Sequence, residues 1–494
     1  KVYSFSSNGK TMLPNGFTYV PFSSHHGSDT ILVKVSDGVN SIEKKLFITI
    51  QPGLPHGIIE PSQIICINQT PAPISGPVPI GNGSLFACQW ETAGIDDSLN
   101  FKKAPGTNDA QAYSALPLNN HTWFRRIIRS GICSDTSSAI KITVIQNGLW
   151  LGKTNNHWNN SQNWCNHFVP DNTTDVRVHA SSMYYPAIED TASCHHLMIA
   201  DKAYLNITGE LKISGDIYPS SGSIRADKGS LVFTGNTKQT ISGNSFNNHL
   251  LHNLVIENRE GTAICDSLLL SGTLLLYNGS VTTNNQLHLQ TNAVIGPSAS
   301  GTSIKGNISL EHKIRGGRRC FWLLGHPFNT DTGLQLINKY IDITGDGGQL
   351  NGFTSTATNQ PSAFRHDPIT GNDTLGVDAG WIPFTHTNGR QENAWKKHSG
   401  IRLMMRGKPG QGLDGTPAGN GQYGTYLPEP VILKASGPVN TGDQEITVQK
   451  GKYAGYNVIA NPYPSPINLS LITRAGNIGM HYWIWNPQQG KMGG

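Results

Sequence analysis

Leu205-Asn206-Ile207-Thr208-Gly209 is followed almost at once by Leu211-Lys212-Ile213-Ser214-Gly215. The same cadence returns in Leu231-Val232-Phe233-Thr234-Gly235, in Gln239-Thr240-Ile241-Ser242-Gly243 and in the long run Leu268-Leu269-Leu270-Ser271-Gly272-Thr273-Leu274-Leu275-Leu276. Apolar residues recur at every second position and each unit closes on Gly, the pattern of short strands broken by tight corners. Units repeating every roughly 10 to 20 residues are expected to stack as coils of a parallel β-solenoid over residues 200–312, each coil burying its apolar side against the next. Leu, Ile and Val then form ladders along the axis, with Gly and Asn at corners where φ turns positive. An ordinary sandwich with regular turns is the alternative, and antiparallel pairing throughout 200–312 would select it.

The rest of the chain is also β in character. Only 14% of its 494 residues are charged, with 55 Gly and 28 Pro, against about 25% charged in a typical soluble chain. Coiled coils and charge-driven disorder are excluded by that balance. A net charge of +5 without a dense basic stripe argues against nucleic acid, and no apolar run reaches the ~20 residues of a membrane span. The length implies several domains. Residues 1–52 hold two strands, 30–36 and 44–51, joined at Val35-Ser36-Asp37-Gly38, where Asp-Gly suits a tight hairpin; they are about half a sandwich domain long and resemble part of an Ig- or cadherin-like repeat. Residues 58–146 have the size and strand spacing of an antiparallel Ig-like β-sandwich with Trp90 as a core candidate. Residues 147–199 form a connecting β segment, and 313–494 a distal β-rich domain, expected to be truncated, with short helical turns only near 334–340 and 469–474. The fold class is therefore all-β: Ig-like sandwich modules, then a parallel solenoid, then a distal β domain.

Four segments resemble the large secreted and surface proteins of Bacteroidetes-type bacteria exported by the type IX secretion system. Ile65-Cys66-Ile67-Asn68-Gln69-Thr70-Pro71, Gln89-Trp90-Glu91, Trp123-Phe124-Arg125-Arg126 and Ser130-Gly131-Ile132-Cys133-Ser134-Asp135 are similar to their Ig-like repeats. Trp150-Leu151-Gly152, Trp158-Asn159 and Asn163-Trp164 resemble their W-x-G…W…NW segment, and Gln239-Thr240-Ile241-Ser242-Gly243 with Asn253-Leu254-Val255-Ile256 their solenoid coils. Arg318-Arg319-Cys320-Phe321-Trp322-Leu323-Leu324-Gly325-His326-Pro327, with Asn461-Pro462-Tyr463-Pro464-Ser465-Pro466, resembles their distal domain. The resemblance implies a secreted or cell-surface protein and partners in the secretion machinery or at the cell surface. It also makes Thr30, Ser98, Thr191, Ser267 and Thr374, each following Asp and preceding an apolar residue, candidate O-glycosylation sites; the alternative is that Asp-Ser/Thr simply marks β-turns.

Seven Cys occur without a Cys-x-x-Cys pair, which argues against structural zinc. Cys66 and Cys133 bracket one expected domain, and Cys165 and Cys194 the stretch before the solenoid. Bridges 66–133 and 165–194 are the expected pairing, with buried free thiols as the alternative; Cys88, Cys265 and Cys320 are left unassigned.

Signatures of catalysis are sparse. Gly410-Gln411-Gly412-Leu413-Asp414-Gly415 and Gly419-Asn420-Gly421-Gln422-Tyr423-Gly424 satisfy G-x-G-x-x-G, but no helix can follow them to face a pyrophosphate. Gly152-Lys153-Thr154 ends like a phosphate loop and lacks its first glycine. Neither G-x-S-x-G nor H-E-x-x-H occurs. His25-His26 and His195-His196 offer imidazoles, but neighbours on a strand point to opposite faces. Asp342 and Asp346, with Asn351, give oxygen ligands for a loose calcium site, or a plain Asp-Gly turn. Trp150, Trp158 and Trp164 suit either a buried cluster or stacking on sugar rings. A solenoid polysaccharide lyase needs a base beside cations that steady a carboxylate; its candidates Lys212, Arg225, Lys238, Arg259 and Lys305 lie scattered among acidic residues. The function expected is that of a non-catalytic structural or adhesive display segment without cofactors. A carbohydrate-binding module or β-helix lyase, with polysaccharide as partner, is the second reading, and a spacer for an active domain elsewhere a third.

Overall fold

The computed structural model describes residues 27–36, 39–50, 58–78, 86–94, 100–130, 133–218, 221–369, 380–413, 427–450, 456–476, 478–479, 481–487 and 489. The fold is all-β, 41% strand and 5% helix. The helical content is single 3-10 turns, two of them at Leu334–Leu336 and Leu469–Leu471, within the stretches expected to turn. The chain divides into two compact units, Lys1–Leu149 and Trp150–Gly494.

In the first unit Gly27–Ser36 pairs antiparallel with Ser41–Ile50; the Asp37-Gly38 corner lies outside the described residues. A separate six-stranded sheet runs in the order Gln63–Cys66, Ile140–Ile145, Thr122–Ser130, Ala87–Gly94, Lys102–Lys103, with Cys133–Thr136 folding back on Thr122–Ser130. Its pairings are antiparallel except one: Gln63–Cys66 runs parallel to Ile140–Ile145, so residues 58–146 are mixed rather than antiparallel throughout. Alternation along Thr122–Ser130 puts Phe124, Arg126 and Ile128 inside, where Trp90, Tyr113 and Ile142 complete the core. Arg126 is fully buried, its guanidinium donating to the carbonyls of Gly76, Pro77 and Gln111.

The second unit contains the solenoid, of about 6 turns. Strands on successive coils pair in parallel at offsets of mostly 19 to 23 residues, as in Leu205↔Ile224, Leu231↔Leu254, Leu268↔Leu287 and Val281↔Ile304. The expected ladders are present: Ala192, Leu211, Leu231, Leu254, Leu274 and Ile295 stack in register and are all buried. Parallel pairing already begins at Val176–Val178 with Leu197–Ile199, so the coils extend upstream of residue 200. Residues 204–213 are two strands, Tyr204–Ile207 and Glu210–Ile213, turned at Thr208-Gly209, where the first of the repeating units closes on its glycine.

Glycine enters these corners for two reasons. At Gly261 and Gly279 φ is +81 and +71, as expected. At Gly209, Gly243 and Gly272 φ is ordinary, and a Cβ would instead strike the adjacent coil: the Asp190 carbonyl, the Ser267 carbonyl, and the His252 carbonyl with the Asn253 amide. Close approach of stacked backbones decides those three.

The distal region supplies a four-stranded antiparallel sheet, in the order Cys320–Leu324, Ile401–Met405, Ala363–His366, Trp381–Pro383. It also sends Val431–Gly437 back to pair antiparallel with Ile308–Ile314, the last strand of one solenoid face. That strand covers an edge that would otherwise be open, while Phe328 and Val439 join the solenoid core.

Candidate functional site

Chemistry-bearing residues gather at the first coils, under a tryptophan cap. Trp150, Trp158 and Trp164 are at most 1% exposed and meet edge to face, with ring centroids 4.9 Å (150–164) and 4.7 Å (158–164) apart. They are core, so none offers a face to a sugar. The indole of Trp150 donates to the Tyr184 carbonyl at 2.7 Å and that of Trp164 to the Trp158 carbonyl at 2.7 Å. Gly152 (φ +54) sits where a Cβ would meet that Tyr184 carbonyl and the Trp150 indole nitrogen. Buried Asn163 pins the loop: its Oδ1 accepts from the amides of Thr154 and Asn155, and its Nδ2 donates to Asn155 Oδ1 and the His157 carbonyl. The W-x-G…W…NW pattern is thus one capping device, and Gly152-Lys153-Thr154 is part of its loop. Beside it lies an open depression of about 300 Å³, lined by His157, Asn159, Asn160, Glu189 and Asp190 over Trp158.

At a corner of the same coils stand Asp175, His195 and His196. The two histidines follow Thr191–Cys194 and precede Leu197–Ile199, in a bend rather than a strand, so strand alternation does not separate them and their rings lie 4.0 Å apart. His195 Nδ1 is 2.8 Å from Asp175 Oδ1, which also accepts the His196 amide at 3.3 Å. His196 Nδ1 accepts the Asp216 amide at 2.8 Å, and its ring lies against Tyr218. Gly215 makes room: a Cβ there would stand 2.6 Å from His196 Nδ1. Asp175 was not among the residues singled out in sequence. Its signal is spacing, since Val176 is level with Leu197 and Leu197 with Ile217, which stacks Asp175, His196 and Asp216 on successive coils. The doublet His25-His26 lies outside the described residues.

The cysteines depart from expectation. Cys194 is free; it occupies an inward ladder position level with Ile213, Phe233, Ile256 and Leu276, and burial, with Asp175 nearby, pushes its thiol far above the usual range. Cys165 is disulfide-bonded, so the 165–194 bridge does not form. Cys66 is also disulfide-bonded, yet the sheet register rules out Cys133 as its partner. Cys66 is level with Ile145, beyond the Thr122 end of Thr122–Ser130, whereas Cys133 is level with Ser130 at the other end. At about 3.3 Å per residue that places their Cα atoms some 30 Å or more apart, against the roughly 4.4–6.8 Å a disulfide requires. Cys88, Cys265 and Cys320 are free.

The remaining candidates do not converge. Lys212 lies beside Glu210 on one solenoid face, Arg225 stacks over Tyr204 on another, and Lys305 ends a strand of a third; Lys238 and Arg259 stand in the connections beside Gln239–Ile241 and Thr262–Ile264. Both carboxylate oxygens of Asp342 accept hydrogen bonds, from Thr354 Oγ1 and the Gly410 amide, while the Asp346 carbonyl accepts from Asn351 in a turn; these are the bonds that the plain-turn alternative calls for. Thr191 is exposed at the start of its strand, whereas Thr30 and Ser267 are half-buried; Ser98, Thr374 and Gly419-Asn420-Gly421-Gln422-Tyr423-Gly424 lie outside the described residues. Gly410 and Gly412 belong to a turn tied to Asp342 and Lys408.

Residues 55–146 match a family described as a domain of unknown function, DUF8696, which covers about a fifth of the chain. No curated protein and no solved structure matches the chain.

Proposed function

We propose that this chain is a non-catalytic structural or adhesive display segment of a large secreted or surface-exposed bacterial protein. The observation that carries this is the continuous apolar core from Trp150 to Val439, closed by tryptophans near its start and by Val431–Gly437 on its last coils. A core of that kind suits a stiff spacer, because each coil is supported by both neighbours. The separation of Lys212, Arg225 and Lys305 onto different faces speaks for the same reading and against a lyase. We read residues 58–146 as an Ig-like module: Ile140–Ile145, Thr122–Ser130 and Ala87–Gly94 run antiparallel in the manner of the central strands of such a sheet, around buried Trp90. Export by the type IX route, with secretion-machinery and cell-surface partners, belongs to the same proposal and rests on the sequence resemblance.

The depression beside the cap favours a second reading, a carbohydrate-binding module, since its polar rim offers donors and acceptors to hydroxyl groups. One experiment separates the two and includes the lyase. The purified chain is incubated with acidic and neutral polysaccharides while new reducing ends, unsaturated products and retention on each polymer are followed. Neither binding nor product is expected. Binding without product would favour the carbohydrate module, and product lost on replacing Lys212, Arg225, Lys238, Arg259 or Lys305 would make the chain a lyase.

A further inference from the structure

We propose that Asp175, His195 and His196 form a binding site for a late first-row divalent cation, Zn²⁺ being the probe of choice. One ligand atom from each lies within 4.8 Å of the other two. Two imidazoles and one carboxylate make a donor set suited to Zn²⁺, Co²⁺, Ni²⁺ or Cu²⁺ and poorly suited to Ca²⁺ or Mg²⁺, which take oxygen ligands. A cation enters between His195 Nδ1 and Asp175 Oδ1, 2.8 Å apart; the ring binds it in the tautomer that carries its proton on Nε2. His196 exchanges its contact with the Asp216 amide for the cation. That exchange, and the partial exposure of all three residues, leave coordination positions for water and set the expected dissociation constant on the order of 10 µM, well short of closed four-ligand sites.

The fold prepares the site in three ways. Parallel stacking holds Asp175 one coil below the histidines. The bend after Cys194 lets adjacent histidines turn to one side. Gly215, on the coil above, leaves the space that the His196 ring occupies. Because its ligands come from two coils, a bound cation ties the first coil to the second.

The test uses the full chain, stripped with chelator. Titration with Zn²⁺ followed by calorimetry, and with Co²⁺ by visible absorption, is expected to reveal a site that Ca²⁺ and Mg²⁺ do not fill. His195→Ala, His196→Ala and Asp175→Asn are each expected to weaken it at least tenfold, with His386→Ala as a control that does not. Metal-free melting temperatures of the variants establish that they fold. Independently of any variant, the ring ¹⁵N resonances of His195 and His196 in the unaltered chain are expected to move as Zn²⁺ is added. Rings unmoved at 1 mM Zn²⁺, a concentration on the order of a hundred times the expected constant, or equal Zn²⁺ binding by a folded His195→Ala/His196→Ala variant, would overturn the proposal.

Discussion

Single residues hold this fold at points where the backbone has no slack. A Cβ at Gly209 would meet the carbonyls of Asp190 and Glu189, which are backbone and cannot rotate away. Gly209→Ala is therefore expected to destabilise the second unit by about 1–3 kcal/mol, the usual cost of overpacking, whereas Gly301→Ala meets nothing within 4 Å and pays only for its positive φ; chemical denaturation of both variants checks the order. Arg126 is a buried cation held by three carbonyls. Lysine keeps the charge but lacks the planar fork that reaches several acceptors at once, so Arg126→Lys is expected to cost about 2–4 kcal/mol, read as an earlier unfolding of the first unit. His326 is buried, Phe328 donating its amide to Nδ1 and Nε2 lying 3.2 Å from the Trp395 carbonyl. Burial depresses its pKa below the ordinary 6.5, and the same holds at His366. The unfolded chain then binds protons that the folded chain does not, so stability is intact above pH 6.5 and declines as pH falls below it. Melting temperatures from pH 7.5 to 5 are expected to fall, with a shallower slope in His326→Gln.

At the scale of elements the ladders dominate. Leu254 is fully buried between Leu231 and Leu274, and Leu254→Ala removes contacts to both neighbours, at an expected cost of about 2–5 kcal/mol. Hydrogen exchange is the discriminating measurement, because nearest-neighbour coupling in a solenoid confines the loss of protection to the coils around the substitution. Uniform loss along 176–310 would show instead that the coils open as one. Much of this element was legible in the sequence, since alternation and turn residues act over a handful of positions and the strands obey them. Less legible was where the stack begins. Parallel pairing starts at Val176–Val178, upstream of the Gly-closed units, because it is set by the neighbouring coil and not by a pattern within the strand.

For the whole molecule the vulnerable places are the ends of the stack. Ile308–Ile314 is protected by Val431–Gly437, with Leu433 buried in the distal core. Leu433→Asp is expected to release that strand and expose a parallel-sheet edge ready to pair with another copy, so oligomers and aggregates should appear in size-exclusion chromatography while Leu427→Asp, at a position 78% exposed, stays unchanged.

What the sequence determined by itself was the class: an all-β chain, a solenoid with apolar ladders, glycine corners and 3-10 turns where helices were too short to persist. These follow from periodicity, which is local. Tertiary structure alone decided which cysteines are bonded, that Trp150, Trp158 and Trp164 cap a core, and that Asp175 meets His195 and His196. Those depend on register, meaning which residue of one coil or strand lies level with which residue of another. A coil two residues longer moves every stacked partner without altering the pattern of any single strand, so juxtapositions across coils are properties of the folded stack.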